Sequence, residues 1–209
     1  MEGRTNTTSC RAARLFATLV IIIAGGGSLL ARQNNLRFDR ITSEQGLSDN
    51  YVLCAMQDRY GFMWFGTRDG LNKFDGYHFT IYRHDPADTT SLSDGSVNTI
   101  FEDRGGNLWI GTHGRGLNLF DRVHERFIHV PQPPYNRRMG DRGNVTAICE
   151  DLLGNLWFVT ASTLIRLDAG RKHYTAYRHN PDDPHGLSSS NVTTVACDRH
   201  GTIWVGTED

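Results

Sequence analysis

Asp58-Arg-Tyr-Gly61-Phe-Met-Trp64, Asp103-Arg-Gly-Gly106-Asn-Leu-Trp109, Asp151-Leu-Leu-Gly154-Asn-Leu-Trp157 and Asp198-Arg-His-Gly201-Thr-Ile-Trp204 are copies of one phrase, Asp-x-x-Gly-x-x-Trp. The chain's tryptophans all stand in this register, with a period inside the roughly 40 to 50 residues that one propeller blade takes. Around the phrase each period resolves into short runs bounded by turn residues, which read as strands. The first run is Val52–Gln57, with equivalents opening at Val97, Val145 and Val192. The second covers 62–67, Leu108–Thr112, Leu156–Thr160 and 203–207. Its nearly continuous apolar character suits a strand covered on both faces. The third covers 71–74, 117–120 and 164–167, each followed at once by Asp75, Asp121 or Asp168. The fourth pairs an aromatic with an apolar residue one short step on: Phe79 with Tyr82, Phe127 with Val130, Tyr174 with Tyr177. No helical period competes, so the expected fold is all-β, with β-propeller blades of four antiparallel strands.

An aspartate opening a turn can accept hydrogen bonds from amides further along it, and glycine tolerates the positive φ the return needs. Asp58, Asp103, Asp151 and Asp198, with Gly61, Gly106, Gly154 and Gly201, are therefore expected to lock hairpins and not to act as catalytic acids. Trp64, Trp109, Trp157 and Trp204 are expected at equivalent buried places between neighbouring sheets. The repeats run approximately over 47–91, 92–140, 141–186 and 187–209, the last stopping after its second strand. Phe38 and Ile41 repeat the fourth-strand spacing just before Gly46-Leu47-Ser48, as Tyr174 and Tyr177 do before Gly186-Leu187-Ser188. A further copy of strand four is expected there, as in a ring closed by its first strand. With no third strand after Trp204 to meet it, residues 36–209 read as an incomplete ring of three full blades plus parts, a fragment or an interrupted gene.

Arg4, Arg11 and Arg14 precede an apolar run over 15–24, then Gly25, Gly26, Gly27, Ser28, Leu29, Leu30 and Ala31. That order is a secretory signal over 1–31, cleaved after Ala31 or after Gly27, or else an uncleaved amino-terminal anchor. Either way the chain from about residue 33 lies outside the cytoplasm. Cys10 falls in that segment and leaves Cys54, Cys149 and Cys197, an odd number from which no disulfide framework follows; all three sit in expected strands, where thiols behave as small hydrophobes. With 22 basic and 23 acidic residues there is no broad positive field, so direct contact with nucleic acid is not expected. The 9 histidines are scattered without ligand spacing, and no nucleophile motif or phosphate-binding glycine loop is present. No catalytic residue, metal or cofactor is expected. Glu102-Asp103 and Glu150-Asp151 point to opposite sides of a strand end and are poor acid/base partners. Asn144-Val-Thr146 and Asn191-Val-Thr193 fit the glycosylation sequon but follow the repeat register.

Gly46-Leu47-Ser48 with Val52, then Gln57-Asp58-x-x-Gly61-x-x-Trp64-x-Gly66-Thr67-x-x-Gly70-Leu71-x-x-Phe74-Asp75-Gly76, resembles the two-component regulator propeller repeat. Further copies run from Leu92-Ser93 through Asp121, from Val145 through Asp168, and from Leu187 through Thr207. The third departs, with Val159 where the others have Gly66, Gly111 and Gly206, and Thr163-Leu164 in place of Gly-Leu; this bears on its second loop and not on its blade. The resemblance implies the periplasmic sensor region of a hybrid sensor histidine kinase anchored in the inner membrane. It further implies an oligosaccharide ligand derived from polysaccharide, missing blades and a kinase region elsewhere in the parent chain, and a homodimer at full length. None of the kinase motifs is in these residues.

In an antiparallel meander the strand 2–3 loops and strand 4–1 connections share one face, and the Asp-x-x-Gly turns lie on the other. The first face carries Arg68, Asp69, His113, Arg115, Ala161 and Ser162, with Tyr82-Arg83-His84-Asp85-Pro86 and Tyr177-Arg178-His179-Asn180-Pro181. Planar guanidinium groups, aromatic rings and carboxylates suit hydroxyl-rich or acidic sugars, so Arg68, Asp69, Arg83, His113, Arg115 and Arg178 are the candidate ligand residues. The alternatives are a secreted propeller enzyme acting on glycans, which needs converging carboxylates or a tyrosine nucleophile, and a noncatalytic adhesion or scaffold propeller.

Overall fold

The computed structural model describes residues 37–131, 143–160 and 162–208. The segment read as a signal or anchor, and Ala161, lie outside the described residues. Blade one comprises β1 (Val52–Gln57), β2 (Met63–Thr67), β3 (Gly70–Phe74) and β4 (Phe79–Tyr82). Blade two comprises β5 (Val97–Glu102), β6 (Leu108–Thr112), β7 (Leu117–Asp121) and β8 (Arg126–His129). Blade three comprises β9 (Ala147–Glu150), β10 (Leu156–Thr160), β11 (Thr163–Leu167) and β12 (Tyr174–Tyr177), and a fourth hairpin holds β13 (Asn191–Cys197) and β14 (Ile203–Glu208). Every blade is an antiparallel meander in sequence order. The first strands neighbour one another in series, β1 by β5, β5 by β9 and β9 by β13, so they line the inner side of the arc.

The core lies between sheets. Trp64 and Leu71 of blade one pack with Leu92, Val97, Leu108, Ile110, Phe120 and Phe127 of blade two or its lead-in. Trp109 and Leu117 then pack with Val145, Ile148, Leu156, Phe158, Ile165 and Leu167. Close approach of blades explains the glycine in strand two: a Cβ on Gly66 would lie 2.6 Å from Val97 Cγ1, and one on Gly111 2.7 Å from Val145 Cγ1. Blade three has Val159 there, fully buried against Val192 and Val195. The third blade still closes its second loop as the others do. Thr160 Oγ1 donates to the Thr163 carbonyl at 3.3 Å, as Thr67 does to Gly70 at 3.0 Å and Thr112 to Gly116 at 2.9 Å.

Each Asp-x-x-Gly turn is a hub whose reach extends to the tryptophan. Asp58 Oδ1 accepts from the amides of Tyr60 and Phe62, both at 3.0 Å, and Oδ2 accepts from Trp64 Nε1 at 2.8 Å. The same indole bond recurs at 2.9 Å for Asp103 with Trp109, 2.8 Å for Asp151 with Trp157 and 3.0 Å for Asp198 with Trp204. Gly61, Gly106, Gly154 and Gly201 take φ of 90°, 86°, 81° and 89°, the left-handed return. Burial by itself would raise the pKa of Asp58, Asp103 and Asp151. The bonds from indole, amide and, at Asp58 and Asp103, arginine outweigh it and leave each carboxyl below its ordinary value.

Three expectations are corrected. Residues 37–42 form no strand, and Phe38 and Ile41 are exposed, because no third strand lies beside them among the described residues; the chain enters through a short 3-10 helix, Ser43–Gln45, capped by Thr42. The tryptophans share a register but not an environment: Trp64 and Trp109 are 0% and 2% exposed, Trp157 is half-buried, and Trp204 is 63% exposed because no sheet covers its outer side among the described residues. Finally, Cys149 and Cys197 are joined by a disulfide between β9 and β13, leaving Cys54 as the one free thiol described. Burial pushes the Cys54 thiol up to about 12. The pairing was legible in the separation of 48 residues, one blade period, which places the two on neighbouring first strands.

Candidate ligand-binding face

A buried polar clasp builds this face. In blade one the Ser48 amide donates to Asn72 Oδ1 at 2.8 Å, Asn72 Nδ2 donates to Ser48 Oγ at 2.8 Å, and Ser48 Oγ meets Thr67 Oγ1 at 2.8 Å. Ser93, Asn118 and Thr112 repeat it in blade two, and Ser188 meets Thr207 at 2.8 Å in the fourth hairpin. The clasp fixes the lead-in to strand one against the end of strand two. The Gly-Leu-Ser signature thus has a mechanical role: leucine fills the core and serine joins two backbone segments.

Just beyond the clasp in blade one, where Val52 pairs with Thr67, the next residues outward are Tyr51 and Arg68. The Arg68 guanidinium carbon lies over the Tyr51 ring, 3.6 Å from its centroid. Ser43, Ser48, Asp49, Asn50, Tyr51 and Arg68 line a recess of about 470 Å3. A neighbouring hollow of about 370 Å3 shares Ser43 and Asn50. Asp69, next in the loop, accepts from Arg83 Nε at 2.9 Å. Arg68, Asp69 and Arg83 are therefore gathered on one rim.

His113 and Arg115 stand on the equivalent loop of blade two, the His113 amide donating to the Ser96 carbonyl at 3.0 Å. Arg178 is exposed on the connection after β12. The histidines of the two Tyr-Arg-His connections point inward: His84 Nδ1 meets the Leu92 carbonyl at 2.7 Å, and His179 Nδ1 meets that of Leu187 at 2.6 Å. They clasp the connection onto the next repeat's leucine. Tyr51 was missed by sequence reasoning because it falls between the repeat's fixed positions. The only signal was its being a tyrosine where the other repeats have Ser96, Asn144 and Asn191. Among the described residues no group of His, Cys, Asp and Glu side chains is arranged to hold a metal, and no helix is long and apolar enough to cross a membrane.

The profile of the two component regulator propeller family matches residues 46–69, 91–114 and 186–209, which are repeats one, two and four. A histidine kinase, P4, of Formosa agariphila is 52% identical over 66 residues, which is 32% of this chain and 5% of the kinase. Among solved structures, the extracellular domain of a one component system from B. thetaiotaomicron aligns with a TM-score of 0.65 and 19% identity, over 81% of this chain and 22% of that one. Virginiamycin B lyase from Staphylococcus aureus aligns at 0.57 with 12% identity, over 75% of this chain and 49% of the lyase. The WD40 propeller of Doa1 aligns at 0.56 with 10% identity, over 75% of this chain and 47% of that one. At such identities the structural likeness is one of fold, a β-propeller. The chain spans a small part of the kinase and of the extracellular domain that it matches.

Proposed function

Since three of its four repeats match the two component regulator propeller model, we propose that the chain is part of the extracytoplasmic ligand-sensing propeller of a two-component system. In this reading it detects oligosaccharides released from polysaccharides and passes the signal to a kinase region encoded elsewhere in its parent. The observation that carries the reading is the 52% identity to a stretch of a histidine kinase, far above the likeness to propellers of other kinds. The Cys149–Cys197 disulfide supports a place in an oxidising compartment, since such bonds persist outside the cytoplasm. The loop face supports a sensing role: its polar side chains are displayed on a rigid clasp, an arrangement that positions contacts without an acid/base pair.

The test is direct. The full chain is screened by calorimetry against oligosaccharides from plant and algal polysaccharides, and each is scored for turnover by chromatography. Binding without turnover is the expected result. Cleavage of a bound glycan would move the protein to the enzyme class, and failure to bind any member would remove the sensing role from this segment.

A further inference from the structure

The fourfold repeat separates scaffold from message. The strand-two threonine and the Asp-Gly-Trp phrase recur in all four repeats and the clasp serine in three, whereas the residues flanking the last rung between strands one and two change chemistry from blade to blade. Those positions hold Tyr51 with Arg68 in blade one and Ser96 with His113 in blade two. In the fourth hairpin they hold Asn191 with Glu208, where the amide donates to the carboxylate at 2.6 Å. In the hairpin the charge is satisfied by its neighbour. In blade one no carboxylate among the described residues lies within ion-pair distance of Arg68, although Asp69 follows it in sequence and Asp49 lines the same recess. Asp49 Oδ1 is taken by the Tyr51 amide, and Asp69 Oδ2 by Arg83.

Two more donors line the recess with Arg68 and have no hydrogen-bond partner among the described residues: the Asn50 side-chain amide, whose oxygen is held by the Ser43 amide at 2.8 Å, and the exposed Tyr51 hydroxyl. Ser48, fixed by its bond to Thr67 in the clasp, lines the recess beside these donors. A guanidinium over an aromatic ring spends none of its N–H groups on that contact, and its fork is suited to receive a carboxylate through two parallel bonds.

We infer that the Tyr51–Arg68 recess of blade one is a subsite for the carboxylate of an acidic sugar, with Asn50 and Tyr51 serving ring hydroxyls. This deepens the sensing reading and rests on it. The ligand class is a uronic-acid oligosaccharide, as opposed to its neutral counterpart.

The experiment compares the full chain, its Arg68→Ala and Arg68→Lys variants, and a Tyr51→Ala variant. The probes are oligogalacturonide, the same oligomer methyl-esterified, and a sulfated neutral oligomer. Loss of one charged, bidentate contact is expected to weaken oligogalacturonide binding about 10- to 100-fold in Arg68→Ala, with esterification having a similar effect and lysine restoring part. Thermal melts of the Arg68 variants should nearly coincide with wild type, because among the described residues the side chain makes no ion pair or hydrogen bond and its ring contact is with exposed Tyr51. Equal binding of esterified and free oligomer, or an unchanged Arg68→Ala, overturns the carboxylate subsite while leaving glycan sensing intact. Preference for the sulfated oligomer also overturns it. No glycan binding at all overturns both readings. As an independent measure, galacturonate but not galactose should protect Arg68 from phenylglyoxal in mass spectra; equal protection, or none, counts against the subsite.

Discussion

Where blade one meets blade two, Arg59 Nε reaches Glu102 at 3.1 Å, and Arg122 from the far side bonds Asp58 at 2.7 Å and Glu102 at 2.9 Å. The second joint repeats this, with Arg104 beside Glu150 at 3.8 Å and Arg171 bonding Asp103 at 3.1 Å. At the third joint the same positions hold other chemistry. Leu152 replaces the turn arginine and lies against Gly201, Cys197 replaces the glutamate, and Val159 replaces the strand-two glycine. There the blades are joined by the Cys149–Cys197 bond and by apolar contact. One blade arrangement thus accepts an ionic or a covalent fastening, because what it supplies is proximity of corresponding strands and turns on neighbouring blades.

The sharpest test of the ionic joints is the tryptophan beneath them. Trp109→Ala should cost about 3–5 kcal/mol in denaturant melts, since the ring is buried and Arg171 lies over it at 5.2 Å. A loss under about 1 kcal/mol would show that the joint does not depend on it.

Reducing the disulfide with a dithiol, or replacing Cys149 and Cys197 together by serine, should cost about 2–4 kcal/mol. Hydrogen exchange should locate that loss in β13 and β14, with the first two joints unmoved. Uniform loosening of all blades would erase the contrast between the joints.

Arg122→Ala should cost about 2 kcal/mol, because it strips a charged donor from a buried carboxylate. It should also change the acid response. Asp58 has a folded pKa held below its unfolded value, so its contribution is present above about pH 4 and is lost as pH falls through the folded value. Without Arg122 that folded value rises and the acid transition moves to higher pH, which circular dichroism against pH will register. An unshifted transition would assign the low value to the turn and indole bonds alone.

The smallest effect is expected at Trp204, whose replacement by alanine should change stability by about 0.5 kcal/mol or less. A cost matching that of Trp109 would mean that something covers the fourth hairpin in solution.

The blades, their strand order and the hairpin turns were readable because period and turn chemistry are local and recur. The Asp-to-Trp bond was harder to see, since an aromatic in a strand is explained sufficiently by packing. The charged joints depend on residues such as Arg122 and Arg171, which lie in loops of unequal length and fall out of any simple alignment of repeats. Phe38 and Ile41 show the opposite failure. Their spacing matched strand four, but a strand needs a hydrogen-bonded partner, and spacing does not provide one. On the candidate face, Arg68 and Asp69 were legible as loop residues between strands, while their partners Tyr51 and Arg83 become such only once β1 is laid against β2 and β4 against β3.

Each tryptophan makes the same indole bond, yet they range from dry to wet along the chain. The protein therefore carries its own set of optical probes, one per repeat, matched in hydrogen bonding and differing in solvent contact. Trp64 and Trp109 should emit towards the blue and resist quenching by iodide, whereas Trp204 should emit red and quench freely. Anything that comes to rest against the fourth hairpin would announce itself as the red component turning blue.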